Sequence, residues 1–147
     1  MNDKLKDDLF YVCSLIEFTA RKTKNRRSVI VNALGIDGVK KQLADAEVNH
    51  CLSFEQVSDE IIGHYNIPDG TFDTITGCKY TVPGYLAIGR LYSIIIIDCT
   101  DEEGAAEEVV RLFSSFISDE ISDFSTDLYY QNPSYLEHSY KAGYLLA

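Results

Sequence analysis

The sequence predicts an all-α fold, a single compact helical bundle of about six to seven helices. Three observations carry that reading. Apolar residues recur at three- and four-residue spacing over long stretches, beginning with Leu5, Leu9, Val12, Cys13, Ile16 and Ala20. Helix-start signals stand at the right places, Ser53 with Gln56 and Asn132 with Pro133. Glycines at 35 and 143 suit helix ends, where a left-handed residue is needed.

Taken in order, residues 4 to 22 form an amphipathic helix, with Arg21, Lys22 and Lys24 at its C-terminal end, where cations suit the macrodipole. A shorter helix through Val29, Ile30, Ala33 and Leu34 stops at Gly35, and Gly38 closes a tight connector. Val39, Leu43, Ala46 and Val48 mark a third helix. A fourth starts on the Ser53–Gln56 capping box and buries Phe54, Val57 and Ile61. Residues 1–65 therefore read as a four-helix unit. Residues 66–82, with Pro68, Gly70 and Gly77, read as a loop or hinge.

Pro83 is placed to open a fifth helix whose face includes Leu86, Leu91 and Ile95. Residues 93–99 are ambiguous, because four consecutive isoleucines also suit a buried strand, and helix is the preferred reading. Thr100 and Glu103 repeat the capping-box pattern, and Val109, Leu112, Phe113, Phe116 and Ile121 carry one helix on to about Phe124. The last helix opens on Asn132 and Pro133, packs Leu136, Tyr140 and Tyr144, and ends near Gly143. Residues 83–147 thus form an acidic, tyrosine-rich helical unit within the same domain, 1–147. The expected core is Leu9, Val12, Ile16, Leu34, Leu43, Val57, Ile61, Leu91, Ile95, Leu112, Phe116 and Leu136.

A chain of 147 residues supports one core, and its 46% hydrophobic and 24% charged content is that of a folded protein, not a disordered one. No N-terminal segment joins a basic start to a signal-length apolar run, and Ser93 to Ile97 is too short to span a bilayer, so a cytoplasmic location without a membrane is expected. Cys13, Cys51, Cys78 and Cys99 stand far apart and read as reduced thiols in small apolar positions. The net charge of −10 is uneven. Residues 1–65 hold 9 basic against 10 acidic side chains, and residues 66–147 hold 4 against 13. Such an acidic half repels nucleic acid and attracts basic protein surfaces.

No motif for catalysis stands out. His50 and Cys51 are adjacent, a poor arrangement for joint metal ligation, and His64 and His138 lack partners at metal spacing, so neither a metal nor a cofactor is expected. There is no GxSxG elbow and no P-loop, and the GIDG stretch from Gly35 to Gly38 follows a helix where a phosphate cradle needs a strand. A site assembled in space around His64 or His138 with carboxylates stays open as an enzyme reading.

The candidate partner-binding residues are acidic and aromatic. Ten acids face Arg111 alone between residues 98 and 127, among them Glu103, Glu107, Asp119, Glu120 and Asp123. Glu103 with Glu107, and Asp119 with Asp123, would place like charges about 6 Å apart on a helix, at a cost of a few tenths of a kcal/mol. Tyr130, Tyr135 and Tyr140 belong to a tail rich in tyrosine, a residue common at interfaces. A second candidate is the basic run Arg21, Lys22, Lys24, Arg26 and Arg27, whose last two stand at a helix start, against the dipole. Solvated faces explain the acidic and basic runs without any partner, and packing of the tail on the core explains the tyrosines.

Phe10, Ile16-Glu17, the apolar Val29–Leu34 helix, Gly35-Ile36, Asp45, His50, Val57, Asp59 and Ile61 resemble the pattern of a family of very small helical bacterial proteins of unknown function, antitoxin-like partners of ADP-ribosyltransferase-like toxins. The resemblance covers about residues 8–65. It implies a non-enzymatic inhibitor that occludes a basic or nucleotide-binding surface of a partner protein, a toxin or a nuclease. The competing expectation is a nucleic-acid mimic of phage or mobile-element origin that inhibits a DNA-processing nuclease.

Overall fold

A helix that is apolar on one stripe only lies at a surface, whereas one buried all round must lie at the centre of a bundle. Every residue from Tyr11 to Glu17 is buried. That helix, α1 (Asp3–Thr23), is the axis of the molecule. The computed structural model describes residues 1–147, and the chain continues through α2 (Arg27–Asn49), α3 (Phe54–His64), α4 (Tyr85–Cys99), α5 (Ala105–Ser114), α6 (Phe116–Ile121), a 3₁₀ turn (Leu128–Tyr130) and α7 (Pro133–Ala142), with no strand. α1 packs chiefly on α4 and α2, α2 lies against α5, α3 covers α1, and α7 closes on α4 and α6. The two halves of the sequence therefore interleave around one hydrophobic cluster. No helix is long and apolar enough to cross a membrane.

The isoleucine run is helical: Ile95 and Ile96 are buried, Ile97 is half-buried and Ile94 is the exposed member, with the whole run inside α4. Helix ends follow local chemistry. Asn2 accepts the Leu5 N–H at 2.8 Å, Ser53 and Gln56 close their capping box, and Asn132 accepts the Ser134 N–H ahead of Pro133. Gly143 ends α7 at φ 87°.

Other boundaries depart from the sequence reading. Gly35 (φ 67°, ψ 177°) kinks α2 but does not end it; Ile36 resumes the helix and Gly38 is an interior helical position packed on Leu34 and Tyr65. The N-terminal half thus has three helices, the second kinked, where four were expected. Gly84, not Pro83, caps α4, and Leu86 points to solvent. The Thr100–Glu103 capping box does not form. Thr100 terminates α4 in an extended conformation, and Asp101 Oδ1 takes the Gly104 N–H at 3.0 Å to make a turn ahead of α5. The single helix expected to Phe124 breaks at Ser115 (φ −79°, ψ 165°), whose hydroxyl donates to the Leu112 carbonyl at 2.7 Å. Serine competes with the helix for backbone groups, and here it wins. Val48 and Tyr144 are exposed, and Leu43 and Phe116 flank the core half-buried; the other ten predicted core residues are buried.

One charged cluster lies inside. Glu17 is wholly buried and accepts from Arg27 Nε at 2.8 Å and Arg21 Nε at 2.7 Å, with a second contact from the Arg27 Nη2. Arg27 is 2% exposed and also donates to the Asn25 carbonyl at 3.4 Å. Arg21 stacks over the Phe124 ring at 5.1 Å. The loop from 66 to 84 is tied to the same corner, because Gly70 N–H donates to Thr23 and Phe72 N–H to Lys24, at 2.8 and 2.9 Å. A β-carbon on Gly70 would strike the Lys24 carbonyl at 2.4 Å, which explains a glycine there.

Two expected outcomes follow from this packing. A β-carbon on Gly89 would stand 2.7 Å from the Ser14 backbone, so Gly89→Ala must push α4 off α1, and adding Ser14→Ala removes only the hydroxyl and does not rescue it. Gly35→Ala meets no atom and costs about 1–3 kcal/mol through backbone strain alone. Denaturation midpoints should rank Gly89→Ala as the more destabilised; equal or smaller loss there would refute the close approach of α1 and α4. Burial would raise the Glu17 pKa, but hydrogen bonds and charge from Arg27, then Arg21, outweigh it and hold it below the ordinary 4.5. Its stabilisation is therefore complete above the ordinary carboxylate range and is lost as pH falls through the lowered folded value. Glu17→Gln should cost about 3–5 kcal/mol at neutral pH and flatten the acid limb of a stability–pH profile.

Candidate functional site

The basic run does not survive as a patch. Arg27 is buried on Glu17, and Arg21 shares that carboxylate from a mostly covered position. Lys22 lies between Glu55 and Asp59, 2.5 Å from the latter. Lys24 is 3.8 Å from Asp73, and Arg26 reaches Asp119 at 2.6 Å while lying over the Phe72 ring at 4.5 Å. Each of the five cations has an acidic neighbour. The unfavourable place of Arg26 and Arg27 at a helix start is thus compensated by Asp119 and Glu17, a structural cause the sequence did not reveal.

The acidic face is partly answered from within as well. Asp119 serves Arg26, and Glu107 lies 3.7 Å from Lys40. Glu103 sits in the turn before α5, so it does not share a helix with Glu107. Asp123 lies past the end of α6 and accepts from the Ser125 N–H and hydroxyl, at 3.2 and 2.5 Å. The two carboxylate pairs expected on one helix face are therefore not built. Glu103 and Glu120 remain exposed.

Nor are the tyrosines equivalent. Tyr135 is half-buried and donates to the Leu146 carbonyl at 2.7 Å, which holds the C-terminal residues against α7. Tyr140 is half-buried and donates to Glu108 at 3.5 Å; burial first, and the Glu108 charge second, push its hydroxyl far up, so it stays a neutral donor. Tyr130 is 84% exposed and has its ring 6.2 Å from Tyr129. Tyr129, Tyr80 and Phe124 line an open cleft of about 410 Å³ with Asp127, Ser125 and Thr126. The 64% exposed Tyr80 comes from the loop ahead of α4, so the cleft joins two distant segments. Sequence reasoning missed Tyr80 because it stands outside the tail.

Nucleophilic chemistry has little to work with. All four cysteines are free; Cys13 is buried, Cys51 is exposed, and burial followed by Glu137 and Glu108 pushes the Cys99 thiol up to about 11, leaving it protonated. His138 Nδ1 lies 2.6 Å from the Ser134 carbonyl one turn back, so it is occupied by its own helix. His64 lines a cleft between α2 and α3 with Lys41, Gln42, Asp45, Asn49, Val57, Glu60, Ile61 and Tyr65, about 220 Å³ in volume. That cleft contains carboxylates but neither Ser nor Cys. No group of three or more His, Cys, Asp or Glu side chains is arranged to hold a metal ion.

Comparison with protein-family models, curated proteins and solved structures returned no match. The surface that geometry singles out is the edge formed by Tyr80, Tyr129 and Asp127, with the exposed Tyr130 next to Tyr129. Tyr135→Ala should loosen the C-terminal residues and lower the melting temperature by the equivalent of about 1–2 kcal/mol, whereas Tyr130→Ala should leave it within about 0.5 kcal/mol of wild type. Differential scanning calorimetry checks both, and a large loss at Tyr130 would mean that its ring is structural.

Proposed function

We propose that this protein is a non-enzymatic, antitoxin-like inhibitor or regulator that occludes a basic or nucleotide-binding surface of a partner protein. The observation that carries the reading is the freely exposed Tyr130 next to Tyr129, which lines a cleft with Tyr80, on the half of the chain that holds 13 acidic and 4 basic residues. Large rigid aromatic rings are the usual anchors of protein interfaces, and surrounding charge speeds and orients the encounter. Tyr130 supplies such a ring with no role in the fold to excuse its exposure. Asp127, Asp123 and Glu120 supply the charge.

A mimic of duplex DNA is less well supported. Duplex phosphates carry one charge per about 1.7 Å of axis. Asp119 and Glu107 are drawn to Arg26 and Lys40, Asp123 is engaged by Ser125, and no carboxylate row runs along α5 or α6. What remains is a sparse acidic rim around aromatic rings, which matches a protein surface better than a phosphate-reading groove.

A photoreactive benzoylphenylalanine placed at Tyr130 is expected to cross-link one discrete basic protein in the cells that make this chain. Cross-linking should survive excess duplex DNA and weaken at raised salt, since steering is screened over about 8 Å at physiological ionic strength. With the captured partner purified, Tyr130→Ala should weaken binding by about tenfold or more, and Glu120→Gln by less. Displacement by duplex DNA together with unchanged binding of Tyr130→Ala would sink this reading in favour of the mimic.

A further inference from the structure

The cleft between α2 and α3 has a chemistry of its own. Gln42 is 6% exposed, lines the cleft, and its Oε1 is buried with no hydrogen-bond partner. A buried amide oxygen left unmade costs about 1–3 kcal/mol, and a donor in the cleft toward which the Gln42 amide turned would recover it. We propose that this cleft binds an organic cation, a guanidinium or primary ammonium group carried on a short apolar stem.

Charge decides the sign of the ligand. Lys41 is bound to Asp45 at 2.9 Å, which neutralises the only lysine or arginine in the lining. Neither Lys41 nor His64, the basic residues of the lining, forms an ion pair with Glu60, so it leaves the cleft with an unmatched negative charge. An anion would meet Glu60 and Asp45 with one committed lysine in its favour. A cation meets the Glu60 carboxylate, and the amide oxygens of Asn49 and of Gln42, the latter once its amide turns toward the cleft, can accept from its N–H groups. The stem has a place too, because Val57, Ile61 and the Tyr65 ring make the apolar part of the lining, and an aromatic face attracts cations.

Size narrows the class further. Pockets for drug-sized ligands run about 300–1,000 Å³. At about 220 Å³ this cleft takes one extended side chain or a small alkyl cation, not a nucleotide or a large cofactor. It shares no lining residue with the tyrosine edge, so the two readings stand or fall separately.

The test is a titration followed by ¹H–¹⁵N NMR, reading the side-chain amide of Gln42 and the backbone amides of Glu60 to Tyr65. n-Butylguanidinium should give saturable shifts with a Kd of about 1 mM, within the bounds on affinity per atom for so small a ligand. Neutral n-butylurea, the same shape without charge, should bind at least about tenfold more weakly. Glu60→Gln, a change at an exposed position, should weaken n-butylguanidinium about threefold to tenfold. Gln42→Leu should lose binding by about tenfold or more while its melting temperature holds or rises, because the unpaired amide is replaced by an apolar group of similar shape. The peptide acetyl-Gly-Arg-Gly-amide separates the sources: tighter binding than n-butylguanidinium assigns the cleft to a protein side chain, and weaker binding to a free small cation, the cation site standing either way. No saturable shift, equal binding of n-butylurea, or equal binding by Glu60→Gln and Gln42→Leu would overturn it.

Discussion

Glu17 sets the arrangement of this protein. A carboxylate wholly buried in the central helix is tolerable only if its charge is met and its lone pairs are filled, and Arg27 and Arg21 do both. Arg27 opens α2, so the bidentate grip fixes how the second helix leaves the first. Asn25 strengthens the corner by donating to Thr23 Oγ1 and the Pro68 carbonyl, at 2.8 and 2.7 Å, and its buried side chain ties the 66–84 loop to the same place. Phe124 beneath Arg21 brings in the segment after α6. Beside the cluster Tyr92 is buried; desolvation and then the Glu17 charge push its phenol far up, and it donates to Ser118 Oγ at 3.0 Å. The stack of Tyr92 on Phe113, with centroids 4.0 Å apart, carries the contact on to α5. Such a network adds little net energy once desolvation is counted. Its effect is selective, because Arg21 shares α1 with Glu17 whereas Arg27 reaches that carboxylate only when α2 leaves α1 in one direction.

The same interaction redistributes charge. Five cations gathered within seven residues look like a binding patch in the sequence, and folding spends them on internal acids. Residues 1–65 are nearly neutral in formal charge and lend Lys24, Arg26 and Lys40 to Asp73, Asp119 and Glu107, yet the acids of the second half still outnumber the bases available to meet them. The surplus is therefore not an even coat over the molecule. It is concentrated on α5, α6 and the loops beside them, with Tyr80, Tyr129 and Tyr130 among it.

Much of the fold was legible where one local rule had no rival. The spacing from Leu5 to Ala20, the box at Ser53 and Gln56, the Asn132–Pro133 start and the Gly143 stop all rest on short-range chemistry, and all stand. Boundaries failed where two local rules competed. Thr100 ends α4 in an extended conformation and Asp101 closes a turn on the Gly104 N–H where the box was expected; Ser115 interrupts an apolar period that runs on through Ile117 and Ile121, so the periodicity remained while the helix broke. Glu17 left a visible signal, since it falls four residues after Cys13 and four before Arg21, on the stripe marked for burial. Its second partner, ten residues on and around a corner, left none. For the site, the acidic bias was legible, but the exposure of Tyr130 against the covered Tyr135 and Tyr140 depends on where α7 docks, and Tyr80 and Gln42 enter their clefts from segments whose proximity only the fold creates.

Unpaired buried polar atoms do not all mean the same thing, and the contrast between Arg21 and Gln42 shows why. Arg21 Nη2 lacks a hydrogen-bond partner, as do Glu107 Oε2 and Glu137 Oε1, yet each of these side chains reaches a partner through a second atom, Glu17, Lys40 and Lys141 respectively. Their charges are met, and Arg21 gains a ring face besides. The unmet atom is then the residue of a compromise inside a satisfied group. Gln42, like Thr74 whose Oγ1 is also unpaired, carries no charge to be met; the position of Gln42 in the wall of an open cleft is what distinguishes it. An apolar residue of similar shape is expected to cost the fold little there, which leaves the amide to be explained by what enters the cleft. Local rules broken without internal compensation mark function more reliably than charge runs do, and on that standard the basic run, fully compensated by Glu17, Glu55, Asp59, Asp73 and Asp119, ranks below a single glutamine.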